Sequence, residues 1–86
     1  MTRKRRTRLD LIALLIKVSS IEYITLYDII IHTGMNRRLA KPYVEFLVKQ
    51  GFLERNNLGR VSGYRATERG LRWLEKYISL KREVDQ

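Results

Sequence analysis

Four consecutive residues constrain this chain more than any others. Thr33-Gly34-Met35-Asn36 separate two segments whose apolar residues recur at helical spacing: Leu26, Ile29 and Ile30 before them, Leu39, Tyr43, Phe46 and Leu47 after them. Gly34 can take the left-handed conformation that ends a helix without the steric cost of a Cβ. Asn36 is a favourable N-cap for a helix that starts immediately afterwards. With a stop and a start so close together, the two helices cannot merge, and the second must project its first turns away from the first.

Similar punctuation divides the rest of the chain. Thr7 with Asp10 and Thr25 with Asp28 have the spacing of a capping box, in which the acid reaches back to the amide of the cap residue. They predict helices starting near Arg8, with Leu9, Ile12, Leu15 and Ile16 inward, and after Thr25. Ser19-Ser20 end the first helix, and Ile21-Glu22-Tyr23-Ile24 alternate as a short strand does. Pro42 lies six residues after Asn36, so the third helix is expected either to kink or to start later, near Leu39 to Lys41, and to end at Gly51. Phe52–Arg55 and Val61–Arg65 read as two strands joined by Asn56-Asn57-Leu58-Gly59-Arg60, a hairpin with a basic tip. Thr67 caps a last helix from Glu68 to about Val84. The expected class is α+β and mostly helical, in three parts: a flexible basic arm over 1–7, a domain over 8–67 and a C-terminal helix over 68–86.

Size and residue types exclude several functions. A chain of 86 residues buries roughly 60–65% of its unfolded surface, enough for one small core and no second lobe around a cleft. There is no cysteine, hence no disulfide, thiolate metal site or Cys nucleophile. His32 is the one histidine, and even with Asp28 on the preceding turn it offers too few ligands for zinc. No glycine run has a phosphate-cradling pattern. No enzyme activity, metal, cofactor or small-molecule substrate is expected. The longest apolar run, Leu11–Ile16, falls far short of the roughly 20 residues of a membrane span, and no small-residue cleavage site follows it. A cytoplasmic, nucleoid-associated protein is expected.

The formal charge of +9 is unevenly placed. It gathers in the head (Arg3, Lys4, Arg5, Arg6, Arg8), around Arg37, Arg38, Lys41 and Lys49, and in the hairpin (Arg55, Arg60, Arg65), whereas residues 9–36 carry −2. Clustering of this kind suits a polyanion, and a cationic arm can follow a phosphate backbone or enter a narrow minor groove. Two short helices around Thr33–Asn36 form a helix-turn-helix, whose second helix offers Arg37, Arg38 and Lys41 to a major groove, with Asn36 at its start. The following hairpin then lies beside it as a wing, with Arg60, Arg55 and Arg65 directed at phosphates or a minor groove.

Three stretches carry a resemblance: Lys4-Arg5-Arg6-Thr7-Arg8-Leu9-Asp10-Leu11-Ile12, Tyr43 to Phe52, and Gly63-Tyr64-Arg65-Ala66-Thr67-Glu68-Arg69-Gly70. With them the chain resembles the winged-helix DNA-binding proteins, in particular the small archaeal type of Sulfolobus chromatin-associated dimers and related viral and plasmid regulators. The resemblance spans nearly the whole chain. It implies DNA binding by the third helix and wing and dimerisation through the last helix. Pro42 and the shortness of the last helix depart from the type.

The last helix itself has two apolar stripes. Leu71, Leu74 and Ile78 can pack on their own domain, while Trp73, Tyr77, Leu80 and Val84 recur as a short coiled-coil seam. The first helix similarly carries Leu11, Leu14 and Val18 beside its inner residues. Leu11, Leu14, Trp73, Tyr77, Leu80 and Val84 are therefore the expected homodimer contacts. The leading expectation is a homodimer bound to double-stranded DNA as a transcriptional regulator. The rivals are an architectural protein of low sequence preference, a protein–protein assembly module and an RNA-binding protein, the last lacking an evident stacking platform.

Overall fold

The computed structural model describes residues 7–85. Its elements are α1 (Arg8–Val18), β1 (Ile24–Thr25), α2 (Leu26–Thr33), α3 (Arg37–Lys49), β2 (Leu53–Leu58), β3 (Val61–Ala66) and α4 (Glu68–Asp85). Both capping boxes form. The Thr7 hydroxyl accepts from the Asp10 amide at 3.1 Å and the Asp10 carboxylate from the Thr7 amide at 3.0 Å, and Thr25 with Asp28 repeat the pair at 3.2 and 3.1 Å. Each box satisfies two amides that a helix start leaves unpaired. No described helix is long and apolar enough to cross a membrane.

The turn between α2 and α3 closes as its residues predict. Gly34 has φ 73°, and its amide donates to the Ile30 carbonyl at 2.9 Å. The Met35 amide donates to the Thr33 hydroxyl at 3.2 Å, and Asn36 Oδ1 accepts from the Leu39 amide at 2.8 Å. Met35 itself is buried. α3 therefore starts at Arg37 and runs through Pro42 to Lys49, not from Leu39–Lys41 as one expectation had it. Proline deprives only the Arg38 carbonyl of its helical donor, and the exposed position of Pro42 leaves that side open to water. The Asn36 cap and the seating of Ala40, Val44 and Leu47 outweigh that loss.

The core joins Ile12, Leu15 and Ile16 of α1 to Ile29, Met35, Val44, Leu47 and Leu53, with Ile24, Ala40 and Ala66 filling in. It corrects three sequence-based stripes. On α3 the buried line is Ala40-Val44-Leu47, while Leu39 and Phe46 are 43% and 37% exposed. The two small residues let the helix axis approach α1 and α2, which turns the bulkier Leu39 and Phe46 outward. On α1, Ala13 is buried where Leu9 was expected, and on α4 Ile78 is exposed. Leu71 and Leu74 do pack against the core, and Trp73 packs beside them, 6.0 Å from the Phe52 ring and stacked on Tyr77 at 5.4 Å.

The strands form an antiparallel sheet in the order β1-β3-β2, with Ile24 opposite Tyr64 and Leu53 opposite Ala66. The hairpin is longer than expected. Asn56, Asn57 and Leu58 pair with Gly63, Ser62 and Val61, leaving only Gly59-Arg60 as the turn. Gly59 has φ 76° and, among the described residues, no non-glycine has positive φ, the pattern of a two-residue turn whose twist matches the strands. The first strand is correspondingly shorter, since only Ile24 and Thr25 reach β3.

The root of the hairpin is tied to both flanking helices. Thr67 donates its amide to the Phe52 carbonyl at 3.0 Å and its hydroxyl to the Gly51 carbonyl at 2.6 Å, while that hydroxyl accepts from the Gly70 amide at 3.1 Å. α4 approaches so closely that a Cβ on Gly70 would stand 2.2 Å from the Phe52 carbonyl oxygen. Gly70→Ala is therefore expected to lower stability by about 1–3 kcal/mol in denaturant titration, despite alanine's better helix propensity, because the obstacle is backbone.

α4 is also pinned to the start of α1. Lys81 Nζ donates to Asp10 Oδ1 at 2.9 Å and lies 5.6 Å from the Tyr77 ring centre. The Lys81 hydrogen bond, followed by the Thr7 amide, holds the Asp10 carboxyl at about 2. A carboxyl held below its unfolded value contributes stability above pH 4 and loses it as pH falls toward 2. Thermal melts should show that acid slope, and Lys81→Met should flatten it.

Candidate nucleic-acid interface

α3 presents three successive strips of residues because its buried line, Ala40-Val44-Leu47, fixes the rotation of the helix. Arg37 and Lys41, one turn apart, lie on the strip facing the hairpin. Arg38, Pro42, Glu45 and Lys49 point away from the core, and all four are exposed. Pro42, Tyr43 and Phe46 face Arg8 at the start of α1. Asn36 is exposed, but its Oδ1 is engaged in the cap.

Between α3, the start of α2 and the hairpin lies an open cleft of about 450 Å³. Arg37, Lys41 and Arg55 bring three cations to it, Tyr27 and Tyr64 add phenols, and Glu45 is the one carboxylate on its wall. Arg55 reaches the cleft because it sits opposite Tyr64 in the β2–β3 ladder, and alternate residues of a strand share a face. Arg60 is exposed at the tip of the hairpin.

The expected cations do not all converge. Arg65 pairs with Glu54 on the opposite face of the hairpin, and its guanidinium lies 5.9 Å from the Tyr23 ring centre. Tyr23 Oη donates to Glu54 Oε1 at 2.9 Å, a bond that raises the phenol's pKa, with burial and the Glu54 charge adding to it and Arg65 opposing. Arg8 is set against α3, with its guanidinium 5.6 Å from the Phe46 ring centre. Arg3, Lys4, Arg5 and Arg6 lie outside the described residues.

Sequence reasoning passed over Tyr27, which is 67% exposed at the mouth of the cleft. Its signal was its position off the Leu26-Ile29-Ile30 line of a short apolar helix. The expected dimer contacts are spread over two environments. Trp73, Tyr77, Leu11 and Leu14 are half-buried on their own domain, whereas Leu80 and Val84 are 62% and 79% exposed. Among the described residues no group of three or more His, Cys, Asp or Glu could hold a metal ion.

Comparisons with known proteins agree with this geometry. No curated protein matches the chain. Sso10a-2, a DNA-binding protein from Sulfolobus solfataricus, is similar in structure with a TM-score of 0.69 and 23% identity, over 86% of this chain and 81% of that one. BpsR of Bordetella bronchiseptica, whose DNA binding is regulated by 6-hydroxynicotinic acid, has a TM-score of 0.74 and 15% identity over all of this chain and 62% of its own. Human N-acetylserotonin methyltransferase is similar at a TM-score of 0.58 and 14% identity, over 69% of this chain but 17% of the enzyme, a likeness of fold alone. A family model described as winged helix-turn-helix matches residues 5–85. With α2, the Thr33–Asn36 turn, α3 and the β2–β3 wing arranged as above, the chain belongs to the winged helix-turn-helix family.

Proposed function

We propose that this chain binds double-stranded DNA as a homodimer and acts as a transcriptional regulator. One observation carries the reading: Arg37 and Lys41 of α3 and Arg55 of the wing converge on one open cleft, with Arg38 and Arg60 exposed beside it. An exposed helix edged with arginine and lysine fits a major groove, where arginine reads guanine through paired hydrogen bonds, while the wing cations suit phosphates or the adjacent minor groove. The basic arm residues Arg3, Lys4, Arg5 and Arg6 are assigned by their charge to the backbone or a minor groove. Arg65, engaged beside Tyr23, is assigned no more than an outer phosphate contact. The solved structures with this fold include two DNA-binding proteins, which supports the same reading.

Homodimerisation rests on α4. Leu80 and Val84 continue the line of Trp73 and Tyr77 beyond the point where the monomer covers it, forming an apolar stripe able to pair with a second copy. Two α3 helices related by a twofold axis match half-sites about one helical turn apart. The glutamate pair Leu80→Glu with Val84→Glu changes exposed positions only, so the fold should persist while light scattering falls from dimer to monomer mass. A wild-type monomer, or an unchanged dimer in the variant, would remove α4 as the seam.

Binding is tested by fluorescence anisotropy across a salt series. Neutralising six to ten phosphates gives a log–log slope of about −5 to −9. Replacing Arg37, Arg38 and Lys41 together by alanine should weaken binding and reduce the slope by roughly 3, whereas unchanged affinity would refute the interface. Selection from random duplexes then separates a regulator from an architectural protein, since a regulator should prefer its site by more than about 10³.

A further inference from the structure

The outer face of α3 is not uniformly polar, and its apolar part is shaped. Leu39 and Phe46 are 43% and 37% exposed, Pro42 is exposed between them, and Arg8 lies over Phe46. Pro42, Tyr43, Phe46 and Arg8 enclose a shallow cup of about 140 Å³. Its lining is two aromatic rings, a proline and a guanidinium. Proline in the second turn of a helix forgoes a backbone hydrogen bond, and here it stands at the cup, on the face directed away from the core.

We infer that this cup reads thymine in the major groove. The inference rests on the DNA-binding reading above, and it names the base that α3 selects on the flank away from the wing. In that groove thymine alone presents a C5-methyl group beside an acceptor, O4; cytosine offers an N4 donor, and the purines offer no methyl. The cup has the matching pair of features. The methyl group packs on the Pro42 ring and the exposed edge of Phe46, while Arg8, which keeps its N–H donors at its edge when stacked on a ring, donates to O4. A bare amide or carboxylate edge would find no partner on the apolar floor. α3 then has two reading edges: a cationic one toward the wing, suited to guanine and phosphate, and an apolar one toward the arm, suited to thymine.

The test compares anisotropy titrations of the full chain with a mixed-sequence duplex containing all four bases and with the same duplex carrying deoxyuridine for every thymidine. Loss of the methyl groups should weaken wild-type binding three- to fivefold for each methyl seated, the effect of one buried carbon. Pro42→Ala and Phe46→Ala should bring the ratio of the two affinities close to one. Pro42→Ala should melt no lower than the wild type, since alanine restores the missing amide, so its effect reports the cup and not unfolding. Any difference in stiffness between the duplexes would act on wild type and variants alike. Equal affinity of the wild type for both duplexes, or a ratio that Pro42→Ala leaves unchanged, overturns the thymine reading while DNA binding stands. Failure to bind either duplex overturns DNA binding itself, and the thymine reading with it.

Discussion

The burial of Met35 inside a closed turn is the constraint on which the arrangement of the functional surface depends. Gly34 ends α2, Met35 enters the core and Asn36 starts α3, so the junction has no slack in which α3 could rotate. A helix advances about 100° per residue. Rotating α3 by one residue in either sense would take Ala40 and Val44 off the core and displace Arg37, Arg38 and Lys41 from their present strips. The cationic strip is thus set by backbone hydrogen bonds and one buried thioether several residues away from it.

A second constraint acts at the root of the wing. Thr67 joins the end of α3 to the start of α4 through the carbonyls of Gly51 and Phe52, and Gly70 lets α4 lie against that joint. The β2–β3 register is set there, with Leu53 opposite Ala66, and it propagates outward residue by residue. Because side chains alternate across a strand, that register turns Arg55 toward α3 and Arg65 away from it. Two arginines of the same hairpin consequently have different surroundings: one stands in an open cleft beside Lys41, the other over Tyr23 with Glu54 nearby.

These two constraints divide the face of α3. Its wing side is cationic and its arm side apolar, with Pro42 on the boundary. Proline is a poor helix residue and Phe46 a poor surface residue, yet both stand out on the helix that a winged helix-turn-helix presents. Arg8 brings the start of α1 to the apolar edge, and the wing cations flank the opposite one.

Much of the fold was legible because its signals are local. Thr7, Thr25, Asn36 and Thr67 cap helices through contacts no more than a few residues away, and Gly34 and Gly59 take conformations that any chain must give to glycine or strain to adopt. These determined the number, order and approximate limits of the elements, and with the clustered charge they pointed to the right family. What only the tertiary structure decided was phase. Spacing put Leu39, Tyr43, Phe46 and Leu47 of α3 inward, whereas the buried line is Ala40-Val44-Leu47 and of the expected four only Leu47 is fully buried. The core took Ala40 and Val44, which pack with residues of α1, α2 and β2 distant in sequence. The faces of Arg55 and Arg65, and the docking of Trp73 and Tyr77 on their own domain, were likewise settled by strand register and by the Thr67 joint. Such contacts connect residues distant in sequence, and a local pattern carries no record of them.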